Sequence, residues 1–175
     1  MKGISKLFHK DRPGPEPDAP EDEPADELDL GEYAEVDASE IKVLILDDDE
    51  DIRELMVMTL ERAGFDVVGA TDDPEEALRI NLARQPHLLL LDLHMPEVNG
   101  LEILPFFKED TPGVRVVVVS GIAATYMTEA AMQAGANAFI VKGVSPRSIV
   151  AHLHRVAKKG SVQVVLPYPL SGDYR

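Results

Sequence analysis

The chain contains no cysteine in its 175 residues. That absence excludes disulfide scaffolds, thiolate zinc sites and cysteine nucleophiles, and it fits a cytoplasmic protein. Long apolar runs are missing too. The longest are a few residues, far short of a membrane span. The opening Met1–Lys10 is basic but is followed by no apolar stretch, which argues against a signal peptide. Positive charge is in deficit, with 17 Lys and Arg against 32 Asp and Glu, a formal net charge of −15. Such a balance repels a phosphate backbone, so direct nucleic-acid binding is not expected.

The deficit is concentrated. Residues 1–40 hold thirteen acids against four basic residues, and five prolines fall between Pro13 and Pro24. A segment of this kind cannot bury enough apolar surface to offset its ordering entropy, so residues 1–40 are expected to be a disordered acidic tail. Within it, Ile4, Leu7 and Phe8 have helical spacing among Lys2, Lys6 and Lys10, which suits a short partner-binding or membrane-surface helix. Residues 159–175 are too few for a second domain and read as a loose tail or a pairing strand.

Residues 41–158 have a different texture. Apolar runs at Lys42–Leu46, Phe65–Ala70, His87–Leu91, Val114–Val119 and Ala138–Val141 predict five strands. Between and after them, helices are predicted at Glu50–Arg62, Pro74–Arg84, Gly100–Lys108, Ala123–Ala134 and Pro146–Lys158. In the first, Ile52, Leu55, Met56, Thr59 and Leu60 recur at helical spacing, Asp49 suits the N-cap and Gly64 the C-cap. Thr71 or Asp72 suits the N-cap of the second, and Pro86 stops it. Strands that are apolar on both faces and alternate with helices predict a flavodoxin-like α/β fold, a five-stranded parallel sheet in the order 2-1-3-4-5.

In that topology the strand ends converge on one crevice. The first offers Asp47, Asp48 and Asp49, the third Asp92, the fourth Ser120 and the fifth Lys142. Paired carboxylates suit a hard cation, most simply Mg²⁺. The cation and Lys142 would neutralise a phosphoryl group, Ser120 would donate to it, and Asp92 would attack phosphorus to form an acyl phosphate.

The motifs Leu46-Asp47-Asp48, Leu91-Asp92-Leu-His-Met-Pro96 with Gly100, Val119-Ser120-Gly121 and Phe139-Ile-Val-Lys142 resemble, in order and spacing, those of response-regulator receiver domains in two-component signalling. The resemblance implies Asp92 as phosphoacceptor and Mg²⁺ held by Asp47, Asp48, Asp92 and the backbone carbonyl of His94. It implies Lys142 as the phosphoryl partner, and Ser120 and Phe139 as switch residues. The donor it implies is a sensor histidine kinase or phosphotransfer protein. The reader would be an unknown downstream protein, with homodimerisation on phosphorylation as one outcome. Family members usually carry proline after the lysine. Here Gly143 follows, and Lys142-Gly-Val-Ser-Pro146 is nearest to receivers with helix-turn-helix outputs, although no such output domain follows.

The receiver reading makes the chain a phosphorylation-dependent switch that catalyses only its own phosphotransfer and dephosphorylation, not an enzyme with a metabolite. The alternatives are a phosphorylation-independent interaction module, an aspartyl-nucleophile phosphohydrolase and a transcription factor. The hydrolase is disfavoured because His94 stands where such enzymes commonly place a second acid. His94 would tune phosphoryl hydrolysis or be solvated, while His87, His152 and His154 are expected to be structural or exposed.

Overall fold

The computed structural model describes residues 37–96, 98–121 and 125–159. The expected tails at residues 1–36 and 160–175 lie outside the described residues. The helical turn Ala38–Glu40 leads into β1 (Lys42–Leu46), α1 (Glu50–Arg62), β2 (Asp66–Thr71), α2 (Pro74–Arg84) and β3 (Leu88–Leu91). Then follow α3 (Gly100–Asp110), β4 (Arg115–Ser120), α4 (Thr125–Gln133), β5 (Ala138–Val141) and α5 (Pro146–Lys159). A small antiparallel ribbon, His94–Met95 with Val98–Asn99, lies between β3 and α3. All pairings in the five-stranded sheet are parallel and its order is β2-β1-β3-β4-β5, as the alternation of elements predicts.

Period-two alternation distributes the strand side chains between two cores. Leu44, Leu46, Leu89, Leu91, Val116, Val118 and Phe139 face α2, α3 and α4 through Ala77, Leu104, Phe107 and Ala131. Val43, Ile45, Leu88, Leu90, Val117, Val119 and Ile140 face α1 and α5 through Met56, Leu60, Ile149, Leu153 and Val156. Both sheet faces are covered by helices, and the carboxylates Asp47 and Asp92 gather at the C-terminal strand ends. No helix among the described residues is long and apolar enough to cross a membrane.

Several local expectations need correction. Leu55 is 43 % exposed and is not part of the core; within α1 the apolar residues that pack on the core are Ile52, Met56, Val57 and Leu60. The N-cap of α2 is Asp73, not Thr71 or Asp72. Its carboxylate accepts from the Glu75 amide at 2.8 Å, while Thr71 is still the last residue of β2. Ala63 caps α1, and Gly64 follows it in the left-handed region at φ +89°. The helix α3 runs through Pro105 to Asp110 rather than ending at Lys108. A helix-interior proline costs about 3 kcal/mol, but full burial of Leu104 and Phe107 on the inner face returns about 1.5–3 kcal/mol each.

The histidines expected to be structural or exposed each make a structural contact, and His87 is exposed as well. The His87 ring accepts from the Lys42 amide at 3.0 Å, His152 bonds the Ser148 carbonyl, and His154 packs on Phe65 with ring centroids 4.7 Å apart. Burial holds both α5 histidines below the ordinary imidazole value.

One glycine fixes the loop under the site. Gly100 starts α3, and a Cβ there would overlap the backbone carbonyl of Asp92 and the Cα of Leu93. That close approach lets the Gly100 amide donate to the Leu93 carbonyl at 3.2 Å. Gly100→Ala is therefore expected to cost about 1–3 kcal/mol, as overpacking usually does. A lower urea midpoint at unchanged slope would show it, and an unshifted midpoint would contradict the packing described.

Candidate functional site

Each acid lies one step beyond a strand yet is still pinned by the sheet. The Asp92 amide donates to the Leu46 carbonyl at 2.9 Å, and the Asp47 amide to the Thr71 carbonyl at 3.2 Å. Lys142 is fixed in the same way, its amide donating to the Ser120 carbonyl at 2.8 Å across β4 and β5. Side chains far apart in sequence are thereby delivered to one crevice.

The Lys142 ammonium bridges two buried carboxylates. Its Nζ lies 2.8 Å from Asp92 Oδ2, and 3.1 Å and 2.9 Å from the two oxygens of Asp47. Both acids are only 4 % exposed. Asp47 Oδ1 also accepts from the Asp49 amide at 3.0 Å, and Asp92 Oδ1 from the His94 amide at 3.2 Å. Asp48, more exposed, completes the cluster: one oxygen from each of Asp47, Asp48 and Asp92 lies within 4.8 Å of the others. Asp49 faces away, capping α1 through the Ile52 amide at 3.2 Å.

Ser120 is fully buried at the end of β4, and its hydroxyl lies 3.2 Å from His94 Nδ1. The imidazole expected to be either solvated or a tuning group is thus exposed on one side and hydrogen-bonded to the site on the other. Phe139 is fully buried beneath the site, in the core cluster with Leu91 and Val118. An open cleft lined by Asp48, His94, Pro96, Asn99 and Met127 leads from the cluster to solvent.

Sequence reasoning missed Arg53. From the first turn of α1 its guanidinium donates to the Asp47 carbonyl at 2.8 Å and approaches Asp72 at 3.9 Å. It holds the turn that presents Asp47 and Asp48. The available signal was an arginine on the inner side of a helix following an acidic strand end, which is uninformative without the fold.

Gly143 answers the departure from the usual proline. It has φ +103°, and a side chain there would meet nothing within 4 Å. The constraint is conformational, not spatial, since the left-handed region favours glycine. Proline, fixed near −65°, cannot adopt this backbone. Gly143→Pro is expected to shift Lys142 and to cost on the order of 1–3 kcal/mol, seen as a lower melting temperature. An unchanged or higher one would mean that the turn tolerates the family's usual residue.

Burial raises the Asp47 carboxyl above its ordinary 3.8, outweighing the hydrogen bond from Lys142. Burial alone would lower Lys142, but its hydrogen bonds to Asp92 and Asp47 prevail and raise it. For Asp47 the sign follows directly. A raised acid stabilises the fold while protonated, and that stability is lost as pH rises from the ordinary value through the raised one. In the absence of metal, Asp47→Asn is therefore expected to be more stable than the parent at neutral pH. The gain should vanish near and below pH 3.8, the ordinary value. Urea titrations across pH check this, and a variant less stable at every pH would refute it.

Known proteins resemble this chain. The chain is 31 % identical over 117 residues to the chemotaxis protein CheY of Thermotoga maritima, covering 67 % of this chain and 98 % of that protein. It is 30 % identical over 119 residues to the phosphate regulon transcriptional regulatory protein PhoB of Pseudomonas aeruginosa, covering 67 % of this chain and 52 % of that one. The chain thus spans about half the length of such transcriptional regulators. A response regulator from Burkholderia pseudomallei, solved with a phosphorylated aspartic acid, a calcium ion and citrate, superposes with a TM-score of 0.61 at 28 % identity. That match covers 69 % of this chain and 70 % of the other. Residues 43–154 match the response regulator receiver domain, and the chain belongs to that family of two-component signalling proteins.

Proposed function

We propose that Asp92 accepts a phosphoryl group from a sensor histidine kinase or phosphotransfer protein, and that the modified chain changes its affinity for a downstream protein, a second copy of itself included. The observation that carries this reading is the Lys142 ammonium held between Asp47 and Asp92, with Asp48 beside them. Three carboxylates around one ammonium leave uncompensated negative charge. The donors are all hard oxygens, which fits a divalent ion such as Mg²⁺. Asp47, Asp48, Asp92 and the His94 carbonyl would hold it, and when bound it supplies positive charge to the phosphoryl oxygens.

A carboxylate oxygen of Asp92 attacks phosphorus. The bond from phosphorus to the donor's histidine nitrogen breaks as the acyl phosphate forms, and the imidazole leaves with the bonding pair. Lys142 turns from Asp92 to the new phosphoryl oxygens. Ser120 exchanges its His94 partner for the same group, and Phe139 moves into the space it vacates. Hydrolysis resets the state, so the chain turns over its own carboxylate and no metabolite. That is a signalling switch rather than an enzyme in the metabolic sense, and His94 beside Ser120 is placed to set how long the signal lasts.

With Mg²⁺ and acetyl phosphate, intact-mass measurement is expected to show one phosphoryl adduct, located on Asp92 by fragmentation and lost in Asp92→Asn or with chelator. An adduct that persists in Asp92→Asn would sink the assignment. Mg²⁺ alone should raise thermal stability, by about 2.7 kcal/mol at a hundredfold excess over Kd. Asp48→Asn should abolish that gain, and an equal gain in the variant would exclude Asp48 from the metal site.

A further inference from the structure

Among the described residues nothing covers the outer side of α1, and it has a defined chemistry. Leu55 and Met58 are 43 % and 47 % exposed. Around them stand the exposed carboxylates Glu50, Asp51, Glu54 and Glu61, with the exposed Arg62 at the last turn. A groove between α1 and β2, lined by Glu50, Arg53, Glu54, Val57, Met58 and Ala70, runs alongside. An apolar strip rimmed by acids suits a basic amphipathic segment.

The chain carries one. Residues 1–10 contain Lys2, Lys6 and Lys10 and no acid, with Ile4, Leu7 and Phe8 between them. The charge then reverses, since residues 11–36 hold eleven acids and a single arginine. The acidic stretch offers the lysines counter-charge but little apolar surface for Leu7 and Phe8. The α1 face offers both.

The tether also begins in the right place. Ala38, next to the first described residue, packs in the α1-side core and lies 3.5 Å from where a Cβ on Gly64 would be, at the foot of α1. From there the 26 residues 11–36 can reach at most about 90 Å. Helix α1, with 13 residues, is about 20 Å long. The decapeptide therefore reaches the whole face, at an effective concentration in the millimolar range. Of the other exposed apolar residues, Leu82 on α2 stands beside exposed Arg79 and Arg84, Phe106 on α3 is flanked by Glu102, Glu109 and Asp110 but has no second large exposed apolar residue on its helix, and Tyr126 and Met132 on α4 do not fall at i, i+3 or i, i+4 spacing.

We propose that residues 1–10 dock on the α1 face of their own chain, Leu7 and Phe8 against Leu55 and Met58, and the lysines against Glu50, Glu54 and Glu61. Asp49 caps this helix and Asp48 precedes it in the acidic cluster, so the docked segment would sit on the helix next to the candidate site. Docking is independent of the phosphorylation reading and is tested without phosphate.

Amide NMR spectra of the full chain are compared with those of full-length Leu7→Ser/Phe8→Ser and Glu50→Lys/Glu54→Lys variants, at low and high salt. Each double variant is expected to shift α1 resonances around Leu55 and Met58, with those of α2 around Leu82 unmoved. High salt should reproduce the shift in the parent. A Leu7→Ser/Phe8→Ser spectrum superposable on the parent across α1 would overturn the proposal. So would binding of the parent to phosphatidylserine vesicles with α1 resonances unaltered by the double variant, which would assign the decapeptide to a membrane surface.

Discussion

The Lys142 ammonium is the element on which the rest of the site depends. The topology brings the carboxylates of Asp47, Asp48 and Asp92 within 4.8 Å of one another. At such separations each like-charge pair costs about 4 kcal/mol at an effective dielectric of 20, a large share of a small domain's stability. One half-buried cation contacting two of the three acids makes the cluster tolerable without cancelling its charge. The residual negative charge leaves a cluster that could hold a metal ion, and burial keeps the carboxyl of Asp47 raised.

Holding such a cluster needs a rigid frame, and the parallel sheet provides it. The strands are apolar on both faces, so the register from Leu46 to Leu91 and from Ser120 to Val141 is set by two separate cores. A slip of one residue would exchange the two faces along a whole strand. The loops above are then tied individually. Arg53 holds the carbonyl of Asp47, Asn99 caps α3 through the Leu101 amide at 3.0 Å, and Gly100 closes beneath Asp92. None of these residues belongs to the acidic cluster, yet each fixes the position of one that does.

This division explains what could be read from the amino-acid sequence. The strands were legible because four consecutive leucines or valines cannot be half-exposed, and Asp92 stood out as a lone acid ending such a run. The set Asp47, Asp48, Ser120 and Lys142 was legible through topology, since parallel strands place their C-terminal ends together. Arg53 was not, because its role depends on the direction of one turn. Nor was the exposure of Leu55, because helical spacing alone assigned five residues to a face that buries fewer. The His94–Ser120 contact depends on the path of a loop of irregular backbone, which has no periodicity to read.

That contact bears on how a change at Asp92 reaches the surface. Asp92 is buried and the sheet beneath it is packed on both sides, so the strands have little freedom to move. The side chains at the strand ends have more. Ser120 is fully buried but bonded to an exposed imidazole, and Phe139, on the strand paired with that of Ser120, lies in the core shared with α4. Under the proposed function, a redistribution of hydrogen bonds at Ser120 would have two outlets, one to solvent through His94 and one to α4 through Phe139. The backbone can remain still while a surface changes. Such economy suits a switch, because repacking two side chains costs a few kcal/mol whereas shifting a strand would break both cores at once.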